Sequence, residues 1–265
     1  MNSATISGGI TNSAFHGFTI FGNFYMNSAI ISGGISGNVF GEASILLNFD
    51  MTSANISGGI SDYAFNLANV YGFDMSSATI SGGVSTSAMR YLSIGANLSF
   101  AKTKFLDGGI QAYAMAGTTV AGFLNASGAR FPNDTLPTQM LFGLQVVKGI
   151  DFSHCNLQSL EESQCAGDGC FGLEDYEDDD SYREAQGGPF TGMSMPVGIA
   201  STFIDLSHNN LTDISNTSLL GITASTLDLS HNKISVFHPF WFLGAPNAKF
   251  IVTTDNPSTC ERNRF

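Results

Sequence analysis

Apolar residues recur along this chain in one eight-residue pattern: apolar, any, apolar, any, any, small-or-Asn, any, apolar. Phe73-Asp-Met-Ser-Ser-Ala-Thr-Ile80 shows it clearly, and it returns from Phe24, Phe49, Leu98, Leu124, Ile150, Ile204 and Leu227. From Phe24 to Ile150 the copies start 24 to 26 residues apart, and a fixed period of that length marks a solenoid. The first half of each copy alternates with period two, which predicts a short strand. Residues 6–10, 31–35, 56–60 and 80–84 then read Ile-Ser-Gly-Gly-Ile/Val, and Gly-Gly suits a tight turn that needs positive φ. An aromatic or Met follows at constant offset: Phe15, Phe40, Phe65, Met89 and Met115. Return segments such as 61–71 leave room for a turn or so of helix. Stacking the units places Phe24, Phe49, Phe73 and Leu98 in one column. Met26, Met51, Met75 and Phe100 form a second, and Phe15, Phe40 and Phe65 a third. Only neighbouring units can bury such columns, so one repeat cannot fold alone.

The period fails after Leu157. Ile150 and Ile204 are 54 residues apart, one repeat plus roughly 30 more, and inserts of that length are functional or disordered. The excess holds Cys165-Ala-Gly-Asp-Gly-Cys170 and then Leu173-Glu-Asp-Tyr-Glu-Asp-Asp-Asp-Ser-Tyr182. The expected organisation is regular repeats over 1–160, an acidic Cys-containing insert loop over 161–200, further repeats over 201–249 and a closing segment over 250–265.

Ile204-Asp-Leu-Ser-His-Asn-Asn-Leu211 and Leu227-Asp-Leu-Ser-His-Asn-Lys-Ile234 resemble the leucine-rich-repeat consensus LxLxxNxL. Ile150-Asp-Phe-Ser-His-Cys-Asn-Leu157 resembles its Cys-bearing variant, and residues 250–260 resemble the Asn-Pro-x-x-Cys start of a C-terminal cap of that family. The resemblance implies an α/β-type repeat solenoid. A parallel sheet lines its concave face, with turns and short helical segments on the convex face. The N-terminal half matches in length and apolar spacing but departs at the ladder site, where the family's Asn is replaced by Ala4, Ala29, Ala54, Ala78, Thr103 and Ala129. The family's buried Asn hydrogen-bonds backbone groups of adjacent turns. Ala cannot, so those groups need another partner or water. A right-handed parallel β-helix has similar coil lengths and is the alternative for the N-terminal half.

The formal charge is −12 with a pI near 4.5, which disfavours binding to nucleic acid. Only 12% of residues are charged, so Ser, Thr, Asn and Gly must make up much of the surface. No apolar run reaches the length of a membrane span. The N-terminus lacks the basic and apolar regions of a signal peptide. Met1 nevertheless falls where Met26, Met51 and Met75 fall. The chain is therefore expected to begin inside a strand, as a fragment of a longer precursor.

The first variable strand position carries Asp50, Asp74, Asp151, Asp205 and Asp228. On the concave face the resemblance implies, these are candidates for binding Ca²⁺ or a basic partner; a solvated column is the simpler reading. His154, His208 and His231 share another column, but no third converging ligand of the kind zinc needs accompanies them. Cys165 and Cys170 would bridge in an oxidising compartment and be free thiols in a reducing one. Sequons stand at Asn55, Asn97, Asn125, Asn133, Asn210 and Asn216. Tyr176 has the acidic flanks favoured by sulfation, which are also those of a solvated loop. No G-x-S-x-G, HExxH or phosphate loop occurs, and the acids and histidines are spread along a solenoid rather than gathered in a pocket. The sequence therefore points to a non-enzymatic extracellular or cell-surface glycoprotein with N-linked glycans and no cofactor. Two roles follow: a structural or self-assembling module (filament, sheath or wall) stacking end to end on copies of itself, or a receptor or adhesion ectodomain gripping a protein or glycan partner.

Overall fold

The computed structural model describes residues 2–11, 13–137, 139–160, 189–190, 193, 195, 202–214, 218–237 and 241–257. The chain winds as a parallel β-solenoid. Among the described residues its long sheet has thirteen strands. Along the sheet's centre lie Phe24–Tyr25, Ser44–Asp50, Asn69–Asp74, Leu98–Ser99, Phe123–Asn125, Gly149–Asp151, Phe203–Asp205, Thr226–Asp228 and Phe250–Val252. The register joins Phe24, Phe49, Phe73, Leu98, Leu124, Ile150, Ile204, Leu227 and Ile251 in one row. Gly149–Asp151 pairs directly with Phe203–Asp205, so the strand register carries on across the longer interval. Phe190, Met193 and Met195, inside the span assigned to the insert, are buried in the core.

The three columns expected from the alternation are present. Phe15, Phe40 and Phe65 stack at 5.1 Å with ring planes 4° apart. Phe24, Phe49 and Phe73 stack at 5.2 and 5.0 Å. The two columns meet edge to face, Phe40 to Phe49 at 4.9 Å and Phe65 to Phe73 at 5.0 Å. Offset or T-shaped pairs add about 0.5–1.5 kcal/mol each beyond area burial. Met26, Met51, Met75 and Phe100 fill the remaining core column.

The short helical segments expected on the convex face are not α-helices among the described residues. Among the described residues only 3-10 turns occur, at Pro132–Asp134 and Trp241–Gly244. In the return segment, Ala64, Asn66 and Ala68 donate their N–H groups three residues back, to Ser61, Tyr63 and Phe65. Tyr63, Phe65 and Leu67 donate instead to Ser87, Ala88 and Arg90 of the next coil. Tyr63 and Leu67 take φ of 59° and 56°. A helix needs every N–H turned inward along its own axis; here alternate groups are turned outward to the neighbouring coil, so turns form instead.

A five-stranded parallel sheet, Thr5–Ile6, Ile30–Ile31, Asn55–Ser57, Thr79–Ser81 and Lys104–Phe105, covers a second side of the N-terminal half. It answers the question raised by the alanine ladder. The N–H groups of Ala29, Ala54 and Ala78 donate to the carbonyls of Met26, Met51 and Met75. Their own carbonyls accept from Asn55, Thr79 and Lys104 of the following coil. Backbone thus pairs with backbone where a ladder side chain would otherwise bridge. Towards the C-terminus the side chain takes over. Thr103 Oγ1 donates to Met75 O at 2.7 Å, Cys155 Sγ to Ala126 O at 3.0 Å and Asn209 Nδ2 to Phe152 O at 2.9 Å. There the second side is reduced to short pairs, Thr135–Leu136 with Ser159–Leu160 and Asp213–Ile214 with Val236–Phe237.

Candidate functional site

Strand alternation turns one residue outward between the two core positions of each coil. On the long sheet this column runs Tyr25, Asp50, Asp74, Ser99, Asn125, Asp151, Asp205 and Asp228. The five aspartates are half-buried. Each has a local structural task. Oδ1 accepts the backbone N–H two residues on: Thr52 at 2.9 Å, and Ser76, Ser153, Ser207 and Ser230 at 2.8 Å. Asn125 does the same with Ser127 at 3.0 Å. This Asx turn ends the strand. Its signal was present in the sequence, as Asp/Asn-x-Ser/Thr at every one of these positions, and sequence reasoning passed over it. Asp50 Oδ2 accepts from Asn27 Nδ2 at 2.9 Å. Among the described residues no Lys or Arg pairs with any of the five.

Two positions earlier, a second outward column runs Asn48, Gly72, Asn97, Phe123, Gly149 and Phe203. Its two glycines leave room for side chains of the neighbouring coil. A Cβ on Gly72 would meet Asn48 Oδ1 at 2.5 Å, and one on Gly149 would meet the Phe203 ring at 2.7 Å. Phe123 and Phe203 face one another across Gly149 with centroids 5.8 Å apart. Lys148 Nζ lies 5.5 Å from the Phe123 centroid. Asn97 Oδ1 accepts the Phe123 N–H at 3.0 Å.

The strand Ser44–Asp50 is bulged. Ile45 pairs with Val70 and Asn48 with Gly72, so Leu46 and Leu47 both stand opposite Tyr71. A bulge re-aims side chains, and here both leucines reach solvent. With Phe21, 84% exposed, and Tyr71, 56% exposed, they form an apolar lip. Tyr71 also lines a groove of about 750 Å³, with Tyr25, Asp50, Asp74, Phe123 and Asp151 among its other walls. The structure thus gathers Asp50, Asp74 and Asp151 into one groove; Asp205 and Asp228 continue the column outside its lining. The aromatic and glycine positions were not singled out from the sequence. Their signal is the residue before the first apolar position of each copy, which reads Asn48, Gly72, Asn97, Phe123, Gly149 and Phe203.

His154, His208 and His231 stack face to face at 4.4 and 4.2 Å with planes 10° apart. Parallel rings point their nitrogen lone pairs along parallel planes, so the three do not converge on one point. His231 Nδ1 lies 3.3 Å from Asp255 Oδ2. No group of three or more His, Cys, Asp or Glu able to hold a metal occurs among the described residues. Cys155 is buried, and burial pushes its thiol up to about 12. Of the sequon asparagines, Asn55, Asn97 and Asn133 are exposed, while Asn125 and Asn210 are half-buried. Asn125 Oδ1 is held by Ser127 N and Oγ, and Asn210 Nδ2 donates to Asn156 Oδ1. Asn216, Cys165, Cys170, Tyr176 and Cys260 lie outside the described residues. No helix among the described residues is long and apolar enough to cross a membrane.

Residues 224–245 match the family model described as Leucine Rich Repeat. No curated protein and no solved structure matches the chain. The matched segment contains Asn232, whose side chain donates to Leu206 O at 2.9 Å in the preceding coil and accepts from Leu211 N at 3.1 Å. Asn209 and Asn256 repeat that bridge on either side.

Proposed function

We propose that this leucine-rich-repeat solenoid is a non-catalytic recognition module that receives a protein or glycan partner on the open face of its long sheet. The groove between Tyr25 and Phe203 carries the reading. Binding clefts pair apolar and aromatic walls with a few fixed polar groups. Here Tyr71, Phe123 and Phe203 supply the first. The carboxylates and amides, several of them held by backbone hydrogen bonds, supply the second. Leucine-rich repeats generally mediate protein–protein interaction.

The test compares the whole chain with a Tyr71→Ala/Phe123→Ala variant on glycan and peptide arrays. Both rings lie on the surface, so the fold should survive. Losing two aromatic anchors costs about 2 kcal/mol or more of binding, so the signals of the parent chain should fall at least tenfold. Identical array profiles would reject the groove as the binding face.

The self-assembling role is a second reading, favoured by one observation. In the first coils Ile6, Phe15, Ile20 and Phe24 are only partly buried, whereas their counterparts Ile31, Phe40, Ile45 and Phe49 are fully covered. A further coil stacked there, of a second copy or of the same chain, would cover them. An extracellular setting belongs to the same proposal, supported by the exposed sequon asparagines Asn55, Asn97 and Asn133. Sedimentation of the secreted chain at rising concentration, with intact mass before and after deglycosylation, tests both. A monomer throughout removes the stacking reading, and an unchanged mass removes the glycosylated one.

A further inference from the structure

We infer that the occupant of the groove is an extended basic segment of a partner protein, with Lys or Arg side chains about four residues apart. This rests on the groove being the binding face, and narrows what it takes.

Shape comes first. From Tyr25 to Phe203 the groove crosses the strands that begin at Phe24, Ser44, Asn69, Leu98, Phe123, Gly149 and Phe203. At ~4.8 Å per strand step this is ~29 Å, the length of an extended peptide of roughly eight or nine residues at about 3.4 Å each. Gly72 lines it with no side chain of its own, and the Phe203 ring, lying over Gly149, closes the far end.

Charge chooses the occupant. Asp50 and Asp74 stand directly opposite on adjacent strands, as do Asp151 and Asp205, and Asp205 and Asp228. Like charges so placed destabilise the sheet, and among the described residues no Lys or Arg forms an ion pair with them. The chain as a whole carries −12, which draws in a basic partner from a distance. A neutral glycan would hydrogen-bond the same groups but leave that repulsion in place. The Oδ1 atoms of Asp74 and Asp151 are fixed by Ser76 and Ser153, so each carboxylate meets its partner already oriented.

Spacing sets the pattern. Asp74 and Asp151 are three strand steps apart, ~14 Å. Four residues of extended chain cover the same distance at ~3.4 Å each. Between them Tyr71 and Phe123 line the groove. Lys148 already lies by the Phe123 ring, so an apolar side chain fits there better than a third cation. The open Tyr71 ring can receive a guanidinium.

The test is fluorescence anisotropy on the full chain with three probes. They are a 12-residue peptide with Lys at every fourth position and Leu between, the same peptide with Glu for Lys, and a neutral hexasaccharide of β-linked glucose. Only the Lys peptide is expected to bind, with affinity falling at least tenfold between 50 and 200 mM salt. An Asp74→Asn/Asp151→Asn variant should weaken it at least tenfold. That variant keeps its fold because Asn125 already makes the same turn hydrogen bond in the same column. Hexasaccharide binding that survives the Asn variant but fails in Tyr71→Ala overturns the basic segment while leaving the groove in place. Lys-peptide binding unchanged in both variants, or no binding by any probe, also overturns it.

Discussion

Gly59→Ala should destabilise the solenoid by about 3–5 kcal/mol, while Gly17→Ala costs only about 1 kcal/mol. Both glycines are left-handed, with φ of +75° and +67°, and Ala dislikes that region at either site. They differ in what a Cβ would meet. At Gly17 nothing lies within 4 Å; at Gly59 the carbonyl oxygens of Gly82 and Gly83 lie at 2.6 and 2.7 Å. These are backbone atoms of the next coil and have no rotamer to escape into. Gly34 meets the Gly58 and Gly59 carbonyls in the same way, so the Gly-Gly corners touch main chain to main chain along the stack. A methyl there must push two coils apart and stretch the Ile60 N to Gly83 O hydrogen bond, now 2.9 Å. Losses above about 4 kcal/mol are exceptional for single substitutions, and this steric cause predicts one. Urea unfolding followed by circular dichroism reads the difference, and hydrogen exchange should show the loosening concentrated at residues 56–84. Equal midpoint shifts for the two variants would remove close backbone approach as the reason for the Gly-Gly pair.

The glycine corners also show what the sequence discloses and what it hides. Periodicity is a one-dimensional signal, and it passes without loss into a one-dimensional stack. The apolar columns, their register and its continuation from Ile150 to Ile204 were all legible, because each column position repeats every coil. Features that depend on the relation between two neighbouring coils were not. The return segment was expected to hold short helix, since nothing local forbids one. It forms turns because alternate N–H groups are claimed by the next coil. The second sheet of the N-terminal half was equally hidden: Ala at the ladder site reads as a missing side chain, and only pairing geometry shows backbone in its place. The surroundings of the groove include a one-residue bulge at Leu46 and Leu47, Gly72 against the Asn48 side chain and Gly149 beneath the Phe203 ring. Such details interrupt the period, so a search for the period discards them. The aspartate column is legible as a row of charge, whereas its Asx-turn role lies in the Ser or Thr two residues on, which the apolar period does not mark.

Asn232→Ala tests the other device that joins coils, and should cost about 2–4 kcal/mol. Asn232 is buried. Its Nδ2 donates to Leu206 O at 2.9 Å and Leu229 O at 3.0 Å, and its Oδ1 accepts Leu211 N at 3.1 Å. Alanine strands the Leu211 N–H inside the core and leaves a cavity the size of a carboxamide. The carbonyls suffer less, because Leu206 O keeps Asn209 Nδ2 and Leu229 O keeps Asn256 Nδ2. Thr103→Val is the comparison. Thr103 Oγ1 makes one buried hydrogen bond, to Met75 O, and that carbonyl also accepts from Ala78 N. Valine preserves the volume, so the loss should be about 1 kcal/mol. Inserting the family's residue into the other half should fail for the opposite reason. Ala54 is buried with its N–H and C=O already paired to Met51 and Thr79, so Ala54→Asn adds a carboxamide with no vacant partner and costs about 1–3 kcal/mol by overpacking. The ladder residue is thus matched to its own half: Asn where side chains bridge the coils, Ala where the second sheet does. Unfolding midpoints for the three variants decide it, and a stabilising Ala54→Asn would show that the N-terminal coils leave a ladder partner wanting after all.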